Sequence, residues 1–132
     1  MKKSIKKVKV EMSEEQAFVV LRALNLYSRL SIGQIEEITE VSKTPEIRNE
    51  NEVKDVINKL KVFLFPELSF GSFYSIAGSG TSESAKESWD IYQSIRYKLY
   101  WALYPEGGIQ VYFNEPFNTS GKEFPKVEVE SE

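Results

Sequence analysis

Trp89, Gln93, Arg96 and Tyr100 stand at i, i+4, i+7 and i+11 within the stretch SWDIYQSIRYKLYWALY, residues 88–104. At about 100° per residue they fall on one stripe of a helix, beside a core-facing side formed by Ile91, Ile95, Leu99, Ala102 and Leu103, with Tyr92 at its edge. An arginine set between two aromatic rings, with an amide next to it, can grip a planar or anionic ligand, because the guanidinium stacks on rings and forks onto phosphate or carboxylate. The bland alternative is a boundary face on which the rings are simply buried. Tyr97, Trp101 and Tyr104 lie on yet another side, so the helix carries more aromatic surface than one small core uses. Some of it is therefore expected to face a ligand, a partner protein or a second copy of the chain.

The loop Gly78-Ser79-Gly80-Thr81-Ser82 runs into the start of the same helix. Glycine-freed N–H groups, hydroxyls and the positive end of a helix dipole make a cradle for an anion, with Lys86 one turn in. The loop is not a Walker A motif, since no Gly-Lys-Ser/Thr follows, and it lacks the strand and GxGxxG of a dinucleotide fold. The alternative is a flexible connector. Cradle and Arg96 belong to one helix about three turns apart, so a ligand touching both is extended or one contact comes from another subunit. Arg22, Asn25 and Arg29 share a face of an earlier helix. With Gln34 they either form a solvated polar face or support the same ligand.

What the chain lacks is as informative. It has no cysteine and no histidine. Thiolate chemistry, Cys/His zinc sites, Ser-His-Asp triads and Cys-His dyads are therefore excluded. No metal ligand set and no cofactor is expected. Glu36, Glu37 and Glu40 form an acidic patch with no second carboxylate cluster to work with, and the two aspartates, Asp55 and Asp90, are not paired by spacing. The formal net charge of −3 argues against DNA or RNA as partner. No apolar run reaches the roughly 20 residues of a membrane span, and the start is not a secretory signal. A cytoplasmic protein is expected.

One domain over residues 1–132 is expected. Val8, Val10 and Met12 alternate with charged residues, as in a half-buried strand. Ser13 with Gln16 forms a capping box for a helix over about 14–30, apolar around most of its circumference. Ser31 with Gln34 begins a shorter helix across a bend near Gly33, and SKTPEIRNEN is a loop or frayed start. Residues 51–64 keep helical spacing until Pro66. A structured loop follows, with a short strand near 73–76. The aromatic helix is capped by Ser82 or Ser84 and ends at Pro105 and Gly107–Gly108. Ile109–Phe113 and Lys126–Glu130 read as strands joined across the turn Asn118–Gly121. The sum is an α+β domain: about four helices on a small antiparallel sheet formed by the N-terminal strand and two C-terminal strands, whose opposite charges make the termini neighbours.

LNLYSRLSIGQIEEI (24–38), WDIYQSIRYKLYW (89–101) and GGIQVYFNEPFNTSG (107–121) resemble a group of small uncharacterised phage and prophage proteins. The resemblance spans most of the chain and assigns no residue a role. It implies a phage-encoded protein working in a host cytoplasm, a class in which counter-defence by sequestering a nucleotide signal or binding a host protein is common. Three functions follow as expectations. The first is a non-enzymatic protein that sequesters a small phosphate-bearing ligand, such as a signalling nucleotide, through Arg96, Trp89, Tyr100, Gln93, residues 78–82, Arg22 and Arg29. The second is an interaction module or inhibitor using the same Arg–aromatic surface on a host protein. The third is a carboxylate-based hydrolase. A homo-oligomer, dimeric or higher, is expected in each case.

Overall fold

Ser13 starts the first helix as its spacing requires. Its hydroxyl accepts the Gln16 N–H at 3.1 Å, while the Gln16 side chain accepts the Ser13 N–H at 2.9 Å. The computed structural model describes residues 1–42 and 49–132. Its elements are α1 (Glu14–Ser31), a 3-10 helix (Ile35–Val41), α2 (Glu50–Leu64), α3 (Glu83–Leu103) and a second 3-10 turn (Ile109–Val111). Most of the polar segment read as a loop, residues 42–51, lies outside the described residues, as does Arg48.

The expected α+β fold is not what forms. The described residues contain no strand, and the chain is all-helical. Alternation makes a segment suited to a sheet, but a strand exists only as one member of a hydrogen-bonded ladder. Residues 1–12 run extended and exposed without such a partner. Ile109–Val111 close instead into a 3-10 turn after Gly107–Gly108, and Val111 alone of them is buried. Residues 126–130 are extended and largely exposed. At 73–76 one bond, Tyr74 N–H to Ile32 C=O at 2.9 Å, takes the place of a ladder. Ser31 caps no helix either: the short helix starts after Gln34, which makes no side-chain cap, and it winds as 3-10.

α1 and α3 pack antiparallel and hold the small core. Ala17, Leu21 and Leu99 are buried together, with Phe18, Tyr92, Ile95 and Tyr100 packed around them. Toward the other end, small residues let the helices approach. The Ser28 and Ser88 hydroxyls lie 2.8 Å apart, each within reach of the Leu24 carbonyl (2.8 and 3.1 Å), so that one donates to the carbonyl and the other to its neighbour. Burying these hydroxyls without partners would be costly, so they satisfy one another. α2 is attached more loosely, mainly through the first 3-10 helix. Its one fully buried side chain is Lys61, whose ammonium donates to the Ser72 carbonyl at 2.6 Å, while Phe63 is 83% exposed. Between α1, the 3-10 helix and α2 an open apolar groove of about 370 Å³ is lined by Leu30, Ile35, Ile38, Leu60 and Leu64.

Past α3 the chain turns back along that helix. Two α3 side chains clip it down. The Gln93 amide both donates to the Phe117 carbonyl (3.0 Å) and accepts its N–H (3.1 Å). Asp90, buried, accepts from the N–H and hydroxyl of Thr119 (2.8 and 2.7 Å) and from those of Ser120 (3.1 and 2.6 Å). This strap lays Phe113 over the α3 stripe.

Candidate functional site

The strap and α3 together build a cation held between rings. The Arg96 guanidinium carbon lies 4.4 Å from the centre of the Phe113 ring and 5.0 Å from that of Tyr92. Tyr92 in turn stacks on Trp89, with centroids 4.9 Å apart and planes 28° from parallel. Phe113 meets Tyr97 and Tyr100 edge-on at 6.2 and 6.0 Å. The result is a run of contacts, Trp89–Tyr92–Arg96–Phe113, in which the guanidinium meets two rings. A guanidinium stacked in this way keeps its N–H edge available for an acceptor.

Two N–H donors of this run have no acceptor. Arg96 Nε and Trp89 Nε1 are buried and unpartnered. An unmade bond at a buried donor costs about 1–3 kcal/mol. Among the described residues, Arg96 also has no carboxylate within ion-pair distance, and neither do Arg22 and Arg29. Ion pairs among the described residues include Lys86 with Glu83, Lys122 with Glu87 and Lys126 with Glu128.

The structure divides the residues singled out by the sequence between two places. Trp89, Arg96 and Tyr100 share the run of contacts and its border, Tyr100 packing edge-on against Phe18 as well. Gln93 lies on the same stripe, but its amide is fully engaged with the strap. The loop 78–82 lies at the start of α3, fourteen residues or about 21 Å along the helix from Arg96. Three of its donors are turned inward. The Gly78 N–H goes to the Ser75 carbonyl (2.9 Å), the Thr81 N–H to that of Gly78 (3.2 Å), and the buried Thr81 hydroxyl to Ser75 (2.6 Å). The Ser82 hydroxyl caps α3 by accepting the Ala85 N–H at 3.3 Å. Gly80 leaves room for Tyr74, because a Cβ there would stand 2.7 Å from its ring.

Arg29 lies in the last turns of α1 and bonds to neither the loop nor Arg96. Tyr27 and Ser84 share a hydrogen bond at 2.8 Å, which puts the last turns of α1 beside the first turn of α3. There Arg29 donates to the amide oxygens of Asn25 (3.0 Å) and Gln34 (3.1 Å). Arg22 is exposed in the middle of α1. Sequence reasoning missed the two rings that clamp Arg96. Tyr92 counted as a core edge, and Phe113 sat in an expected strand. Asp90 was missed as well, and the hydroxyl pair Thr119–Ser120 was the one signal that it had partners.

Among the described residues no cluster of three metal-ligating side chains occurs. No helix among them is long and apolar enough to cross a membrane. No protein-family model, no curated protein and no solved structure matches this chain.

Proposed function

We propose that the chain is a non-enzymatic binding protein that takes up a small, planar, phosphate-bearing ligand of nucleotide type and acts by sequestering it. The observation that carries this reading is Arg96, stacked between Tyr92 and Phe113 with no carboxylate partner and with a buried, unused Nε–H. A phosphate brought to Arg96 forms charge-assisted bonds with the guanidinium, and reaching the buried Nε–H requires the strap that carries Phe113 to shift. Trp89, half-buried and stacked on Tyr92 by one face, takes a base on its other face in this reading, and its buried Nε1–H is a second donor. Arg29 with Gln34, at the far end of α3, suits a second anionic group only on an extended ligand or one shared with another subunit.

The test is direct. Purified protein is denatured, and the released small molecules are identified by nucleobase absorbance and mass spectrometry. The ligand-free protein is then incubated with nucleotides and the products analysed. Recovery of an intact nucleotide supports sequestration; turnover to new products would make the protein an enzyme.

A second reading has its own support. Beside the clamp, Tyr112 is 91% and Ile109 86% exposed. Apolar and aromatic side chains standing out next to an arginine also suit a protein partner. Capture of a host protein by a chain that binds no nucleotide would favour that reading, and Tyr112→Ala would then weaken capture.

A further inference from the structure

The two ends of the chain carry matching patterns. Residues 1–12 hold five lysines and one glutamate, whereas residues 126–132 hold one lysine and three glutamates. Both segments run extended, and no backbone hydrogen bond ties 5–12 or 126–130 to any described residue of the same chain. Val8 is 78% exposed and Val10 68%. An extended segment with an apolar face and unpaired N–H and C=O groups is a template for another chain.

The register is specific. Placed antiparallel, Lys7 opposes Glu130, Val8 opposes Val129, Lys9 opposes Glu128, Val10 opposes Val127, and Glu11 opposes Lys126. All five cross-strand pairs are then favourable, three by opposite charge and two by apolar contact. The parallel arrangement that keeps Lys9 against Glu128 puts Lys7 against Lys126 and Glu11 against Glu130, two like-charge clashes. Shifting the parallel pairing by two residues restores Lys7–Glu128, Val8–Val129 and Lys9–Glu130 but sets Glu11 against Glu132, so of these registers the antiparallel one pairs the most residues without a clash.

The surface area points to a second copy as the occupant. A single chain exposes 10250 Å², against about 7,100 Å² for a compact monomer of this mass. The excess, about 3,000 Å², is more than one partner contributes to most obligate dimers, about 1,000–2,500 Å². Exposed apolar side chains of the N-terminal arm, Ile5, Val8 and Val10, and of α2 around Phe63 contribute to it.

We propose that the chain assembles with a second copy of itself, residues 7–11 of each copy pairing antiparallel with residues 126–130 of the other. The pairing is between copies and leaves the helical fold of each chain as described. A two-fold axis makes both ribbons at once. This inference does not rest on the ligand reading, and either can fail without the other.

Sedimentation equilibrium of the full chain at micromolar concentration tests it. The expected mass is at least twice 15.2 kDa. Lys7→Glu with Lys9→Glu in one variant, and Glu128→Lys with Glu130→Lys in another, each place like charges across both ribbons and are expected to sediment as monomers. Circular dichroism should report unchanged helix content, because the four substituted side chains are exposed and only Val127 of the paired segments lies beside α3. Co-expression of the two variants restores both ribbons, so the mixed pair regains the wild-type mass. A monomeric wild type would overturn the proposal. So would variants that keep the wild-type mass, or a mixture that stays monomeric, the result expected if the arms paired within one chain.

Discussion

Arg96 and Phe113, seventeen positions apart in sequence, meet with the guanidinium 4.4 Å from the ring centre. The contact exists because Asp90 and Gln93, on the same helix as Arg96, hold the returning chain at Thr119, Ser120 and Phe117. Site and scaffold are thus one construction. Whatever loosens the strap opens the clamp.

Asp90→Ala should therefore act on stability first. It removes a buried acceptor of four hydrogen bonds and strands the Thr119 N–H, while the Thr119 hydroxyl keeps the Lys86 carbonyl at 2.8 Å. Losing bonds to a buried carboxylate and leaving donors unpaired gives an expected loss of about 3–5 kcal/mol. Urea unfolding measures it. A loss below about 1 kcal/mol, the worth of one ordinary hydrogen bond, would mean that the strap is held elsewhere.

Gly33→Ala should destabilise through the backbone. Gly33 has φ of +98°, and an added Cβ would collide with Leu68 Cδ1. Strain and overpacking together give about 2–4 kcal/mol. Gly71→Ala is the control, with a similar φ of +81° and open space around it. It is expected to cost only the conformational part, about 1–2 kcal/mol. Equal losses at the two sites would remove Leu68 from the explanation.

The Tyr74–Glu67 hydrogen bond predicts a pH window. Bonding from the Tyr74 hydroxyl holds the Glu67 carboxyl below the usual 4.5, and the same bond raises the Tyr74 hydroxyl above its usual 10.0. The glutamate's contribution is present above its ordinary pKa and is lost as pH falls through the lowered value. The tyrosine's is complete below its ordinary pKa and is lost as pH rises through the raised one. The stability difference between wild type and Tyr74→Phe should be flat between about pH 5 and 9 and shrink on both sides. A difference that stays constant from acid to alkali would place its origin in packing. Glu67 is exposed and Tyr74 only half-buried, so the effect is small.

The helices were legible because their signals are local. Ser13 with Gln16 caps α1, Pro66 follows α2, and Ser82 opens α3. The sheet was misread for a non-local reason. The alternation of Val8, Val10 and Met12 is real, but nothing in those residues says whether a ladder partner lies in the same chain. The Trp89–Arg96–Tyr100 stripe was visible as spacing along one helix. What completes it, Phe113 from the strap and the Asp90 clip, comes from residues brought back by the turn at Gly107–Gly108, which no helical period reports. Gln93 shows the converse, since an amide on the right stripe turned out to be the clip that fixes Phe117.

Calorimetric titration of the ligand-free protein with a panel of linear and cyclic nucleotides, for wild type, Arg96→Ala and Arg96→Lys, tests the binding role of Arg96 most directly. The wild type is predicted to bind at least one nucleotide and return it unchanged. Arg96→Ala should bind about 10–100-fold more weakly while keeping its helix content, the worth of a charge-assisted hydrogen bond. Arg96→Lys should not recover the loss, because an ammonium can neither stack between Tyr92 and Phe113 as a plane nor fork onto phosphate. A wild type that binds none of the panel, or an Arg96→Ala variant that binds as tightly as wild type, would contradict it.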